Sequence, residues 1–393
     1  MQFSDFYYRY IIYRSLSKLK KGEMFNKQTI LQNMEALRRP NGAFIASPSE
    51  NYSSLWIRDT LYATYAYWYL GDFEKLKQGI WIVFDLFKKH KKKIKVRIAS
   101  PIYVPGGLIH AKFNSNTLEE ITADDKWGHH QLDALGLFLH IVADADFKNM
   151  RIIRDEEDLE ILELLVAYLR SVEYWLNPDY GMWEECEIQH SSSIGAVVAG
   201  LKYVKKQKLV DIRDPLIQLG DKVLNEILPF ESREQCLKSH HSHDCDSAQL
   251  SLIWPYHVTV KPEKIDEIIS RIVNGHKTNG DNHKLLQIHG FNRYWGDDYF
   301  RSTEGKYRGI SAEWPMFKFW LSIIYSQFHD QVSHEKAVFW FKEGCGDIKD
   351  SKIPELYQNG KQNNNTPLAW AHALALIAFS KLPAEAQKEF SKN

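Results

Sequence analysis

Two adjacent glutamates, Glu184 and Glu185, follow Trp183 and lie a few residues ahead of an apolar segment that begins at Ser191. Hydrolysis of a glycosidic bond needs one carboxylic acid to protonate the leaving oxygen and a second carboxylate to activate water or attack the sugar. Neighbouring residues on an extended loop point in different directions, so Glu184 and Glu185 cannot face each other across one bond. Such chemistry would require a partner carboxylate from elsewhere in the chain.

A candidate partner is Glu355, which lies 171 positions after Glu184 (355 − 184) and also precedes a predicted helix. Both glutamates have aromatic neighbours, Trp183 in one case and Tyr357 in the other. Acidic residues near a helix start are also favoured by the helix dipole alone. On the Trp-Glu-Glu motif by itself, a catalytic acid and a dipole-favoured surface residue both remain possible.

Composition limits the classes of partner. The 393 residues include 50 Lys plus Arg and 50 Asp plus Glu, with 44% hydrophobic and 25% charged residues. An even charge balance offers no basic surface for a phosphate backbone, so we predict no nucleic-acid partner. The first ten residues carry charges where a signal peptide is apolar, and no run approaches the ~18 apolar residues of a membrane span. We therefore predict a cytoplasmic protein without membrane contact.

The four cysteines are scattered without a CxxC pair, so we predict reduced thiols rather than disulfides or a zinc knuckle. A cluster of His240, His241, His243 and Cys245 offers zinc-binding atoms. Its spacing matches no standard zinc motif, and a solvated polar loop is the alternative that we favour. The sequence thus predicts no metal and no cofactor.

Apolar residues recur at helical spacing along the chain and long alternating strand patterns are scarce, which predicts an all-α protein. A Lys-rich run over 88–95 is predicted to close an amphipathic helix as a solvated end. The stretches 94–122 and 276–312 are predicted as long loops with short hairpins. The predicted helices are 27–38, 56–69, 72–90, 127–145, 155–177, 191–206, 212–227, 246–254, 262–275, 314–328, 332–345 and 367–381, with a further helix around 5–19.

If consecutive helices run antiparallel, the segments that lead into even-numbered helices lie at one end of the bundle. The segments rich in Trp, Arg, Asp and Glu all precede even-numbered helices, which predicts one functional face. Twelve alternating helices can close as six hairpins into an (α/α)6 barrel. Because we find no repeat, low-complexity segment or linker, we predict a single domain over 1–393.

Several motifs, taken in order, resemble the glucoamylase-type inverting glycosidases of glycoside hydrolase family 15, whose fold is an (α/α)6 barrel. Together they cover most of the chain and are far more specific than any one of them alone. They are Tyr52 to Asp59, Trp127 to Gly136, Trp183 to Glu185 with Ser191 to Gly200, Arg293 to Tyr299, Glu313 to Pro315, Pro354-Glu355 and Pro367 to Trp370.

The resemblance implies a role for each matching residue. Glu184 would be the general acid and Glu355 the general base, with carboxyl groups roughly 6.5–9.5 Å apart so that a water fits between base and sugar. Burial and repulsion from Glu185 should raise the pKa of Glu184. Substrate-binding roles are implied for Tyr52, Trp56, Arg58, Asp59, Trp127, Glu185, Arg293, Tyr299 and Trp314. Without the resemblance, a capping ion pair is the interpretation that we favour for Arg58 and Asp59, and the aromatic residues could be core.

The barrel motifs begin near residue 50, which leaves no room for the β-sandwich that precedes the barrel in many bacterial members. We therefore expect a compact enzyme for short oligosaccharides, acting on α-1,6 substrates such as isomaltose or on α-1,4 maltose. Trehalose and a non-catalytic carbohydrate-binding regulatory barrel are the alternatives. The presence of both glutamates favours catalysis, and the sequence does not indicate an oligomeric state.

Overall fold

The computed structural model describes residues 25–100, 107–122, 128–236, 243–258, 261–278, 281–297, 299 and 312–391. The helix predicted around 5–19 lies outside these residues. The helices described are α1 (Lys27–Glu35), α2 (Ile57–Leu70), α3 (Phe73–Lys89), α4 (Lys91–Ala99), α5 (Leu132–Phe147), α6 (Glu156–Ser171), α7 (Ser191–Lys206), α8 (Asp214–Ile227), α9 (Leu250–Ile253), α10 (Pro262–Asn274), α11 (Met316–Tyr325), α12 (Gln331–Cys345), α13 (Ala369–Lys381) and α14 (Ala384–Phe390).

Within this described part, six helices form a closed inner ring, in which α2 contacts α5, then α7, α9, α11 and α13 follow, and α13 returns to α2. These helices are apolar on nearly all sides; every residue of α11 is buried, as is every residue of α13 up to Phe379. A helix that is hydrophobic all round must be surrounded by protein. The inner ring therefore forms the core.

The outer layer consists of amphipathic helices that each cover an inner one. Helix α3 packs on α2, α8 on α7, α10 on α9, α12 on α11, and α1 on α13. Helix α10 shows the pattern, because its buried residues Ile265, Ile268, Ile269 and Ile272 recur three or four positions apart. This two-layered closed ring confirms the predicted all-α (α/α)6 barrel.

A close helix crossing holds α5 against α7. A Cβ placed on Gly136 would lie 2.3 Å from the backbone carbon of Ala196, and one on Gly200 would lie 2.6 Å from the carbonyl oxygen of Gly136. Only glycine allows the two backbones to approach this closely. The crossing fixes the position of the segment before α7, which carries Glu184.

The strands are short pairs at loop ends. Strand β1 (Leu55–Trp56) pairs antiparallel with β2 (Lys112–Phe113), β3 (Lys277–Thr278) with β4 (Asp281–Asn282), and β5 (Tyr357–Gln358) with β6 (Lys361–Gln362). The β3–β4 pair is a short hairpin within the predicted loop 276–312. Strand β2 lies in the predicted loop 94–122, where Phe113 also forms an antiparallel bridge with Glu120.

Three helical segments differ in kind from the prediction. Helix α4 was predicted as part of the Lys-rich helix end and the following loop, but tertiary ion pairs hold it: Lys91 and Lys95 both contact Glu160 on α6, and Lys93 contacts Glu120. Helix α14 at the end of the chain was not predicted. The helix predicted over 246–254 is a 3-10 turn (Ser247–Gln249) followed by the single turn of α9.

The prediction of four reduced thiols was wrong for one pair. Cys186 and Cys236 form a disulfide across 50 residues, while Cys245 and Cys345 are free and buried. The bond ties the segment after Glu185 to the segment after α8. None of the helices described is long and apolar enough to cross a membrane. A cytoplasmic location and a single domain over 1–393 stay predictions.

Candidate active site

A cavity of about 340 Å³ lies where the segments before α2, α7, α11 and α13 meet. Ten of the eleven predicted site residues line it, and the eleventh, Trp127, lies outside the described residues. The ten are Tyr52, Trp56, Arg58, Asp59, Glu184, Glu185, Arg293, Tyr299, Trp314 and Glu355. The structure thus brings together residues separated by up to 303 positions (355 − 52), at one end of the barrel as the helix order predicted.

Glu184 sits in a tight turn with an uncommon backbone conformation. Its φ of 67° lies in the left-handed region, which residues other than glycine rarely adopt. Gly128 permits the turn to pack, because a Cβ there would lie 2.7 Å from the carbonyl oxygen of Glu184. Strained non-glycine residues of this kind cluster at functional sites and cost on the order of 1–3 kcal/mol. The conformation aims Glu184 at the cavity rather than along the backbone of the loop.

The carboxyl group of Glu184 is largely enclosed, with 17% of its side chain exposed toward the cavity. Arg58 Nη2 donates to its Oε1 at 3.0 Å. Burial raises the pKa of Glu184, and the charge and hydrogen bond of Arg58, with a further hydrogen bond from Gln131, oppose the rise. The predicted direction is therefore correct. Burial is the largest cause, as predicted, whereas repulsion from Glu185 is not among the main causes, because Glu185 is paired with Arg293 and Tyr294.

Glu355 lies on the opposite loop and is 1% exposed. Tyr52 Oη donates to its Oε1 at 2.7 Å, while Asn363 Nδ2 and Asn365 Nδ2 each donate to its Oε2 at 2.6 Å. Tyr299 Oη lies 3.4 Å from the same Oε1. Burial raises the pKa of Glu355, and the hydrogen bonds from Tyr52 and both asparagines oppose the rise because they favour the ionised form.

Glu185 also lines the cavity and is held by a second cluster. Arg293 Nη2 donates to its Oε1 at 2.6 Å, and Tyr294 Oη donates to its Oε2. Arg293 is 3% exposed and also makes a bidentate pair with Asp297, at 2.9 and 2.8 Å. Two carboxylates thus fix one guanidinium at the cavity wall.

Arg58 and Asp59 open helix α2 but do not form a capping ion pair. Arg58 Nη1 donates to Gln131 Oε1 at 2.7 Å and lies 3.4 Å from Asp133 Oδ2. Asp59 lines the cavity, where burial and the charges of Glu184 and Glu355 outweigh the opposing charge of Arg58 and raise its pKa to about 7. Both side chains line the cavity.

Aromatic rings form much of the remaining wall. Trp314 lies 5.9 Å from Trp183 and 6.2 Å from Tyr299, measured between ring centroids. The guanidinium carbon of Arg293 is 4.6 Å from the ring centre of Tyr299. Trp183 Nε1 donates to Asp246 Oδ1 at 2.7 Å, which fixes the plane of its ring. Flat apolar faces with a few polar groups between them are typical of small-ligand sites.

Some lining residues were not predicted as site residues: Ala46, Asn51, Lys112, Met182, Trp183, Leu368 and Trp370. Trp183 and Trp370 belong to motifs quoted in the sequence analysis. Their residue type, tryptophan within a matching motif, could therefore have indicated that they line the site. Lys112 reaches the cavity through the β1–β2 pairing, which places its Nζ 4.5 Å from the ring centre of Trp56. The asparagines that hold Glu355 lie in a polar loop with no signal of their own.

The structure describes two of the four residues weighed as metal ligands, His243 and Cys245. Cys245 is buried and free, and His243 lies 3.3 Å from Asp246 through its Nδ1. His240 and His241 lie outside the described residues. His243 lies in a group of possible ligand atoms with Cys186 and Cys236, and Cys245 is not part of that group.

Comparison with known proteins identifies the family. The family model of glycosyl hydrolases family 15 matches residues 24–332. Since this range covers more than half of the chain, the protein belongs to that family. The match ends before Glu355, so the family model does not cover the loop that carries Glu355, Asn363 and Asn365.

Curated relatives include regulatory subunits. The chain is 24% identical to a probable phosphorylase b kinase regulatory subunit alpha of Caenorhabditis elegans, over 86% of this chain and 31% of that protein. It is 25% identical to the liver isoform of the same subunit from Mus musculus, over 86% and 30%. The chain thus spans about a third of the length of these relatives.

Solved structures share the fold over nearly the whole chain. A wild-type glycosidase matches with a TM-score of 0.71 at 17% identity, covering 91% of this chain and 97% of its own. The glucoamylase from Saccharomycopsis fibuligera matches with a TM-score of 0.61 at 14% identity, covering 94% and 99%. At such identities the likeness establishes the fold.

Proposed function

We propose that this member of glycosyl hydrolases family 15 is an exo-acting, inverting α-glucosidase that releases β-D-glucose from the non-reducing ends of short α-glucosides. One observation carries the proposal: Glu184 and Glu355, from separate loops, line one cavity, and each is held by a different set of hydrogen-bond donors. Two carboxyl groups in distinct environments are what acid and base catalysis of glycoside hydrolysis requires.

Glu184 is the proposed general acid. Its carboxyl proton passes to the glycosidic oxygen as the bond to the anomeric carbon breaks, and the bonding electrons leave with that oxygen. Burial supports the protonated form despite the guanidinium of Arg58 at 3.0 Å. A well-placed acid contributes roughly 10²–10⁴-fold in rate, or about 3–5 kcal/mol of activation free energy.

Glu355 is the proposed general base. Asn363 and Asn365 donate to one oxygen and Tyr52 to the other, so the ionised form is stabilised and ready to accept a proton. A water held against this carboxylate attacks the anomeric carbon from the face opposite the leaving group, and its proton passes to Glu355. The configuration of the anomeric carbon inverts as a result.

The charged wall groups are proposed to hold the non-reducing glucose. Arg58 and Arg293 are fixed donors, and Asp59 is an acceptor beside them. Their positions are set by buried carboxylates rather than by the ligand, so little ordering is needed on binding. Trp56 and Trp314 offer flat faces to the C–H surface of a sugar ring.

We propose isomaltose-type α-1,6 or maltose-type α-1,4 oligosaccharides as substrates. The cavity volume of about 340 Å³ lies near the lower end of small-ligand sites, about 300–1,000 Å³, which favours one or two sugar rings. A glycosidase variant of the same fold has been solved in complex with glucose, at 16% identity and a TM-score of 0.69.

A carbohydrate-binding regulatory module is the second candidate, and the relatives named as phosphorylase b kinase regulatory subunits favour it. Such a module would bind a sugar without turning it over. The retention of both glutamates, each with its hydrogen-bond partners, favours catalysis for this chain.

The test compares Glu184→Gln and Glu355→Gln with the wild type on isomaltose and maltose. We expect each variant to lose hydrolysis by at least roughly 10²-fold while keeping its circular dichroism spectrum and melting temperature. Glu187→Gln is the matched control, because Glu187 lies on the same loop and is exposed. Wild-type turnover in both variants would reject the assignment of the two residues, and sugar binding without turnover in the wild type would favour the regulatory module.

A further inference from the structure

We propose that Asp244, His276 and His283 bind one divalent transition-metal ion, with zinc as the ion that suits these ligands best. None of the three lines the cavity described above. Asp244 lies in the segment before the 3-10 turn at Ser247, and the two histidines flank the β3–β4 hairpin. The sequence did not predict this site, because the ligands are 32 and 7 positions apart (276 − 244 and 283 − 276) and form no zinc motif.

The geometry of the three side chains fits a single ion. One possible ligand atom of each lies within 4.8 Å of those of the other two. His276 Nε2 is 2.7 Å from Asp244 Oδ2, and His283 Nδ1 is 3.6 Å from Asp244 Oδ1. With zinc–ligand bonds of roughly 2.0–2.2 Å, two ligands at a tetrahedral angle are separated by roughly 3.3–3.6 Å. The His283–Asp244 separation matches that spacing and is too long for a hydrogen bond.

A second observation concerns His283 alone. Its side chain is 8% exposed, and its Nδ1 is buried without a hydrogen-bond partner in the part of the chain that the structure describes. Trp295 stacks on the ring at 4.6 Å between centroids and 9° between planes, which fixes its orientation. A buried polar nitrogen without a partner costs about 1–3 kcal/mol. A metal ion beside Asp244 would satisfy this nitrogen.

The ligand types also fit. Two imidazoles and one carboxylate are a common set for zinc, with a remaining position open to water. Binding would displace the proton shared by His276 and Asp244 and release it to solvent. Arg271 opposes a cation, since its Nη2 lies 3.9 Å from Asp244 Oδ2, although its hydrogen bond goes to the Asp244 carbonyl oxygen at 3.2 Å.

The location assigns the ion a stabilising role. It would tie the segment of Asp244 to the β3–β4 hairpin, and two residues further on Asp246 accepts the hydrogen bond from Trp183. The ion would therefore stabilise the segment whose Asp246 fixes Trp183 at the cavity wall. The site does not depend on the proposed hydrolytic activity.

The experiment uses the full chain, freed of metal with EDTA and titrated with ZnCl₂ by calorimetry, with the ion content of untreated protein measured by mass spectrometry. We expect one equivalent of zinc per chain. X-ray absorption should show nitrogen and oxygen ligands near ~2.0–2.1 Å and no sulfur near ~2.3 Å. His283→Ala should weaken binding by more than the roughly 10–100-fold typical of changes to residues that only support a ligand.

The matched control is His329→Ala, since His329 is exposed and remote in sequence from the site. It should bind zinc as the wild type does. Absence of zinc binding, or unchanged affinity in His283→Ala, would overturn the proposal. A sulfur shell would also overturn it, because it would place the ion at His243 and the reduced thiols of Cys186 and Cys236, with their disulfide broken. The absorption measurement on the wild type decides this even if a variant fails to fold.

Discussion

The hydrogen bond from Asn363 to Glu355 allows a quantitative prediction about the proposed base. Asn363 Nδ2 donates to Glu355 Oε2 at 2.6 Å, and Asn365 donates to the same oxygen. The change Asn363→Ala removes one donor and leaves the other in place. A hydrogen bond to a charged group contributes about 1.5–3 kcal/mol. Since one pKa unit corresponds to about 1.36 kcal/mol, the pKa of Glu355 should rise by about 1–2 units.

The direction in which the pH profile moves follows from the role of Glu355 as the base. Burial already raises the pKa of Glu355, and the lost donor favoured its ionised form, so the pKa rises further in the variant. A general base must be ionised, hence the rate falls as the pH drops through this pKa. The acidic limb of the pH profile of kcat/KM should therefore move to higher pH by about 1–2 units. At pH values above the acidic limbs of both enzymes, kcat/KM should be little changed.

The assay is release of glucose from isomaltose or maltose, measured across pH for the wild type, Asn363→Ala and Asn364→Ala. Asn364 is a matched control, because it has the same side chain next in sequence but is exposed. Its profile should coincide with that of the wild type. An acidic limb that stays in place in Asn363→Ala, with a uniform loss of rate at all pH values, would refute the assignment of Glu355 as the base.

Further expectations concern binding and stability. Arg293→Lys should raise KM by roughly tenfold or more, measured by steady-state kinetics, because lysine cannot replace the bidentate guanidinium that Glu185 helps to hold; an unchanged KM would exclude Arg293 from binding. Asp59→Asn should remove a change in KM near pH 7, where wild-type KM falls as Asp59 ionises and becomes a stronger acceptor; the same pH dependence in the variant would contradict this. Replacing Cys186 and Cys236 by serine should lower the free energy of unfolding in urea by up to about 4 kcal/mol for a 50-residue loop; reductant should destabilise the wild type alone, and an equal effect on both would count against the bond.

Sequence periodicity predicted the bounds of several long helices closely, because apolar residues recur along them at helical spacing. Helix α7 matches its predicted bounds of 191–206, and α10 and α12 differ by one residue at one end. Helix α4 escaped prediction since its lysines are stabilised by acidic residues of other elements, such as Glu120 and Glu160. Tertiary ion pairs of that kind leave no periodic signal in the local sequence.

The candidate site also contains residues that could be predicted from the sequence and residues that could not. Charged and aromatic residues before the inner helices α2, α5, α7, α11 and α13, which are even-numbered in the predicted order, could be predicted, because an antiparallel helix order places those segments at one end. Asn363 and Asn365 could not, since they lie in a polar loop whose path depends on Glu355 and on the β5–β6 pair. The disulfide joins cysteines 50 positions apart, and only the three-dimensional packing of their segments brings them together.

The most direct test of the account is a proton NMR time course of fresh enzyme with isomaltose, maltose and trehalose, in which the anomer of glucose is identified before mutarotation. We predict that β-glucose appears first, from isomaltose or maltose, as inversion with Glu184 as acid and Glu355 as base requires. Initial α-glucose would contradict this pairing of the two carboxyl groups. Release of glucose from none of the three would contradict hydrolysis itself.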